Sequence, residues 1–239
     1  MESLEQSVDQ FLEYFRERIA EIKAVSFGPA TKLFKKILYV GILDALSKTV
    51  SYPKQGNRDR FVSLIRHFGK WKHGEKVSLP HLARLLQKVH NPEFTKIRAY
   101  AYEQFDKWPR DTLVDLDADL YFDEVKKRWP PTIPKPLEDI RIESIQHVHL
   151  FYSYRSSLVH ELRQPGRGME IRSDGDPYYH VLENVESGEV TWELVYPIAF
   201  YESICNEVIS GLRAYYVKDR IDPYSCFAFG TYWIDELNR

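Results

Sequence analysis

Tyr152-Ser153-Tyr154-Arg155-Ser156-Ser157-Leu158-Val159-His160-Glu161-Leu162-Arg163, closed by Gln164-Pro165-Gly166, reads as the end of a helix. Leu158, Val159 and Leu162 fall along one side, and Pro165-Gly166 stops the run. The spacing predicts a helix over 140–163. Arg155 follows Phe151 by four positions and precedes Leu158 by three, which places a permanent charge on the stripe expected to face the core. Leaving such a charge buried without its partner costs about 3–5 kcal/mol. A break in the apolar pattern of this kind marks a candidate functional position.

Toward the N-terminus, residues 3–24 form a strongly signalled helix. Ser3 and Gln6 have capping-box spacing, and Leu4, Val8, Phe11, Phe15, Ile19 and Ile22 recur at steps of three and four. After Gly28-Pro29, Leu33, Ile37, Val40, Leu43 and Leu46 predict a second helix, antiparallel to the first, to about Val50. Residues 52–136 read as an inserted subdomain. Within it, helices are expected over 58–68, from Ser78-Leu79-Pro80 to Asn91, and from Pro92 to about Phe105, with a short one near 121–127. The stretch 108–136, rich in Pro and Asp, carries little other regular structure.

Beyond the quoted stretch the period changes. Tyr178, His180 and Leu182 alternate with their neighbours, Ser187-Gly188 marks a turn, and Val190, Trp192 and Leu194 resume. Residues 176–195 therefore predict a β-hairpin. Pro197 opens a last long helix with Phe200, Ile204, Val208, Leu212 and Tyr215, and the aromatic tail from Asp222 is expected to pack on the body. The fold class is all-α in the main: one domain over 1–239, a helical bundle of two long helices before the insertion and two after it, with a small hairpin.

The balance of 33 Lys and Arg against 35 Asp and Glu leaves a net charge of −2, so no overall basic field draws in nucleic acid, and such a contact needs a local patch. Cys205 and Cys226 make no CxxC and no disulfide framework. No apolar run reaches a membrane-spanning length and no leader peptide is evident, so the reading is a cytoplasmic protein without a membrane partner.

Arg155 and His160 carry the chemistry most worth testing. Arg is always charged and grips phosphate in a fork; His moves protons near neutral pH. Five helical positions turn the two side chains about 140° apart, so Arg155 must reach round, the helix must loosen, or a second subunit must complete the site. Spacing alone carries little information, because Arg60–His67, Arg66–His73, Arg84–His90 and Arg141–His147 match a similar rule. The run Asp115-x-Asp117-x-Asp119 fails as a calcium loop: its sixth and twelfth positions are Leu120 and Lys126 where Gly and Glu are required. It reads as a solvated acidic loop. His147-x-His149 point some 200° apart on a helix and cannot share one metal, so they read as ordinary helix residues. No metal or cofactor is expected. Aromatic cross-strand pairing accounts for the Tyr and Trp of the hairpin.

The run Tyr154-Arg155-Ser156-Ser157-Leu158-Val159-His160-Glu161 resembles the RNase motif of the HEPN family, in which an Arg, a polar residue directly after it, four to six residues and a His recur near the end of a helix. The close resemblance covers about a dozen residues. It implies a small helical bundle that dimerises so that two motif helices form one composite site, metal-independent cleavage of RNA, and a toxin–antitoxin or phage-defence setting with a possible antitoxin partner. Carried over position by position, Arg155 and His160 take the catalytic places and Ser156 the polar place, where Asn or Asp is commoner. Tyr152 and Arg163 would extend the face toward substrate. The alternative reading is a non-catalytic HEPN module that binds a nucleotide or acts as an adaptor.

Overall fold

The computed structural model describes residues 3–50, 56–137, 140–172, 175–185 and 187–226. Among them are eight α-helices: α1 (Leu4–Ala24), α2 (Thr31–Ser47), α3 (Asn57–Phe68), α4 (Leu79–Lys88), α5 (Thr95–Phe105), α6 (Phe122–Arg128), α7 (His147–Glu161) and α8 (Ile198–Asp219). Three strands, β1 (Val114–Asp115), β2 (Tyr178–Glu183) and β3 (Val190–Val195), form one antiparallel sheet in the order β1-β2-β3. The protein is mainly helical with a small β-hairpin.

The chain divides into two compact units, residues 1–70 with 201–239 and residues 71–200. The first contains α1, α2, α3 and nearly all of α8. Ser3 Oγ accepts from the Gln6 N–H and Gln6 Oε1 from the Ser3 N–H, so the capping box forms as its spacing predicts. Val8, Phe11, Leu12, Phe15, Ile19 and Ile22 line the inward side of α1. Val40, Leu43 and Leu46 of α2 and Val208, Leu212 and Tyr216 of α8 are buried in the same unit, where the Phe11 ring meets Tyr216 at 6.4 Å. Gly211 lets α8 approach α3 closely: a Cβ there would stand 3.0 Å from Phe68 Cβ and 3.1 Å from its Cα and O.

The second unit holds α4–α7 and the sheet. Its core gathers Leu82, Leu85 and Leu86 from α4, Phe94 and Ile97 near the start of α5, Trp108, Leu116, Val125 and Tyr179. Its two chain ends lie together, with the rings of Trp71 and Phe200 4.8 Å apart. The hairpin closes through Gly188 at φ +66°, whose N–H donates to Asn184 O. Its aromatic residues do not pair across the strands. Trp192 lies opposite Val181, and Tyr179 opposite Leu194. Both rings instead pack on Trp108, at 5.2 Å and 5.0 Å. Covering one face of a two-stranded ribbon buries more apolar surface than lateral pairing, and β1 extends the sheet beyond the expected hairpin.

α7 differs from its sequence reading in two respects. It starts at His147, after a 3-10 turn over Ile142–Ile145. Its inward positions are His147, Val148, Phe151, Tyr154 and Leu158, whereas Val159 is half-buried and Leu162, at φ +53° beyond the last turn, is exposed. Arg155 is one step off this stripe and half-buried, so no charge stands in the apolar seam. α7 belongs to the second unit, while α1, α2 and most of α8 lie in the first. The tail beyond Cys226 lies outside the described residues; before it, the Tyr224 ring meets Phe11 at 5.3 Å.

Candidate functional site

The end of α7 collects the side chains singled out by the motif. Arg155 Nη1 stands 3.5 Å from His160 Nε2, at the outer limit of a hydrogen bond. A guanidinium only donates, so any hydrogen bond across this contact is accepted by Nε2. The Arg155 guanidinium also lies over the Tyr152 ring, 5.6 Å from its centroid. The long Arg155 side chain therefore spans the 140° that separates the two positions, without unwinding α7. Ser156 is not brought into this group: among the described residues its hydroxyl makes no hydrogen bond. Arg163 pairs with Glu161 rather than with the Arg155–His160 group.

The surroundings hold this helix end firmly. Tyr154 Oη donates to Gln164 Oε1 at 2.5 Å. The loop that follows is pressed onto β3, where a Cβ at Gly166 (φ +73°) would meet Glu193 Oε2 at 2.5 Å and the Arg167 N–H donates to that oxygen. The His180 Nε2 accepts from the Met169 N–H, and its Nδ1 faces Val181 O at 3.1 Å, which fixes the proton on Nδ1.

A second constellation lies deeper in the same unit, formed by residues that the sequence reading set aside. Asp119, from the acidic run read as a solvated loop, is 4% exposed, whereas Asp115 and Asp117 are open to solvent. His147, read as an ordinary helix residue, is fully buried and its Nε2 lies 2.6 Å from Asp119 Oδ2. The Leu79 N–H donates to Asp119 Oδ1 at 2.7 Å. Asp119 thus caps the start of α4 from a distance of 40 residues along the chain.

The network continues toward the surface. Tyr179 Oη lies 2.9 Å from Asp119 Oδ2 and 2.7 Å from Ser78 Oγ, and Ser78 Oγ lies 2.7 Å from His81 Nδ1. Proton counting orders it. A carboxylate only accepts, so the single phenolic proton goes to Asp119. Ser78 must then donate to the phenol oxygen, and its own oxygen accepts from His81 Nδ1–H. Every hydrogen bond in the chain points inward to one carboxylate, and His81 is left with its lone pair on Nε2. Burial, with the Asp119 carboxylate adding to it, pushes the Tyr179 phenol well above its ordinary value, so it stays protonated. His81 is pulled down to about 4, first by the protein packed around it and then by His147, against the opposing pull of Asp119 and Glu193. Its outer edge is exposed, and water there limits the depression.

A readable trace of this network exists. The inward positions 147, 151, 154 and 158 are spaced by four, three and four, so the polar residue that truly interrupts the apolar seam is His147, not Arg155. Its partners could not be read, since Asp119 and Tyr179 reach it from a turn and a strand far away in sequence.

No candidate metal cluster of three or more His, Cys, Asp or Glu side chains occurs among the described residues, and no helix among them is long and apolar enough to cross a membrane. Comparison with family models, with curated proteins and with solved structures gave no match.

Proposed function

We propose that the chain is a metal-independent endoribonuclease of HEPN type, with Arg155 and His160 as the reacting pair. The observation that supports this reading is their approach to 3.5 Å at an accessible helix end, despite positions that point apart on the helix. In this scheme neutral His160 takes the proton of a ribose 2′-hydroxyl. The 2′-oxygen attacks the adjacent phosphorus as the bond to the 5′-oxygen breaks, and the leaving oxygen receives a proton from the imidazolium. The products carry a 2′,3′-cyclic phosphate and a 5′-hydroxyl. Arg155 holds the non-bridging oxygens and offsets their growing charge. Positioned acid–base help of this sort contributes roughly 10²–10⁴-fold. Tyr152 supports the guanidinium and offers a ring face to a base. A second copy of the chain would set its own α7, with its own Arg155 and His160, beside the first in a homodimer; an antitoxin partner belongs to the same proposal.

The test is cleavage of a structured RNA in EDTA by the parent protein and by His160→Ala and Arg155→Ala. The proposal expects cyclic-phosphate ends from the parent and a loss of at least about 100-fold in both variants. Equal cleavage by all three sinks it. RNA retention without turnover in the parent would instead support the non-catalytic module.

A further inference from the structure

Away from Arg155 and His160, α4, α5, β3 and the turn before β3 line an open cleft with a cavity of about 450 Å³, within the size range of sites for small organic molecules. His81, Arg84 and Gln87 line it from α4, Tyr102 and Phe105 from α5, and Trp192 from β3. Three chemical features meet there. The first is an aromatic wall held in place by its neighbours, with Trp192 5.2 Å from Trp108 and 6.1 Å from Phe105, and Phe105 5.3 Å from Trp108. The second is Arg84. Its Nη1 donates to Gln87 Oε1 at 2.9 Å, and it makes no ion pair among the described residues. The third is His81. Its Nδ1 is committed to the buried Ser78–Tyr179–Asp119 chain, so Nε2 is the nitrogen offered to a ligand, and it is an acceptor.

The balance of charge narrows the ligand. Among the described lining residues Arg84 is the sole Lys or Arg, part of its fork already serves Gln87, and the Glu189 carboxylate also borders the cavity. A phosphate dianion would meet one cation and one like charge. A single carboxylate matches one guanidinium in a fork. A planar ring fits the Trp192 and Phe105 faces, and an oriented acceptor asks for a hydroxyl or N–H.

We propose that this cavity binds a small planar aromatic carboxylate bearing a hydroxyl or ring N–H, with the carboxylate on Arg84, the ring against Trp192 and Phe105, and the donor on His81 Nε2. The site is independent of RNA cleavage. Asp119, Tyr179 and Ser78 act as positioning residues, because they fix which His81 nitrogen carries the proton without touching the ligand.

The experiment titrates the full chain with 4-hydroxybenzoate, indole-3-carboxylate, benzoate and adenosine monophosphate, read by tryptophan fluorescence and calorimetry. The expected result is saturable one-to-one binding of 4-hydroxybenzoate or indole-3-carboxylate below about 1 mM, and weaker binding of benzoate and of the nucleotide. Arg84→Ala should weaken binding by about 10-fold or more. His81→Ala should remove the preference for 4-hydroxybenzoate over benzoate while leaving benzoate unchanged. Tyr179→Phe should reduce the same preference and alter the ¹⁵N signature of the His81 tautomer, which a purely structural role would not do. His160→Ala should bind like the parent, so failure here and failure of the RNase reading are separable. His81 and Arg84 are exposed, so their variants keep the test decisive even where Tyr179→Phe does not fold. Failure of both carboxylates to bind at about 1 mM, indifference to Arg84→Ala, or tighter binding of the nucleotide overturns the proposal.

Discussion

Replacing Asp119 by Ala removes the acceptor on which three buried donors converge. The Leu79 N–H, the Tyr179 hydroxyl and the His147 Nε2 all end on this carboxylate, at 2.7, 2.9 and 2.6 Å. Their fates differ. Tyr179 can turn its proton toward Ser78 Oγ and recover one bond. The Leu79 N–H has no such choice, because the Ser78 hydroxyl does not cap α4. His147 fares no better: its Nδ1 is already buried without a protein partner, so moving the proton between nitrogens only moves the orphan. Each stranded donor costs about 1–3 kcal/mol, and a broken buried pair about 3–5 kcal/mol in total. Asp119→Ala should therefore lose about 3–5 kcal/mol of stability. Asp119→Asn keeps Oδ1 for Leu79 and can offer its amide to His147 in the other tautomer, so its loss should be only about 1–2 kcal/mol. Urea unfolding followed by tryptophan fluorescence is a suitable assay, since Trp71, Trp108, Trp129 and Trp192 all lie in the second unit. A loss below about 1 kcal/mol for Asp119→Ala, or equal losses for Ala and Asn, would refute the assignment of these donors.

Three further outcomes are expected. Gly211→Ala gains helix propensity but sets a methyl against Phe68 of α3, and the crowding should win by about 1–2 kcal/mol in thermal unfolding; an unchanged or raised midpoint would show that α3 yields freely. Burial, helped by Glu202, pushes the Cys205 thiol up, so a thiol reagent should label half-exposed Cys226 in the native protein and reach Cys205 only after denaturation. Because its pKa is depressed in the fold, His81 holds fewer protons folded than unfolded just below its ordinary value near 6.5; the unfolded chain gains from acid there, so stability should fall as pH drops below about 6.5 and level off once His81 is protonated in the folded chain as well. His81→Gln should flatten this part of the pH profile, and an unaltered slope would assign it to other groups.

The helices were legible because each carries its own signals. Ser3 and Gln6 cap α1, Pro sits near the start of α4, and Gly188 closes the hairpin, all within a few residues of where they act. The start of α7 was misplaced because Ile142 and Ile145 are buried in a 3-10 turn and extend the apolar rhythm beyond the helix itself. Arg155 and His160 could be singled out as candidates, but helical geometry points them about 140° apart, so their approach to 3.5 Å needed coordinates. The Asp119 network was not legible. Its bonds join residues 28, 40, 60 and 101 positions apart, and in one sequence such partners look like an acidic loop, a helix histidine and a strand tyrosine with no tie between them.

The interruption of the first unit's sequence by residues 71–200 has a consequence for synthesis. α1, α2 and α3 leave the ribosome with their apolar stripes complete, but the helix that closes over them, α8, follows 130 residues later. At ordinary translation speeds that interval is on the order of 10 s. The neighbouring Trp71 and Phe200 rings bring the ends of the intervening segment back together. Newborn chains must therefore shelter an unfinished amino-terminal half until the last long helix emerges, and truncation anywhere before residue 201 strands that half without its lid.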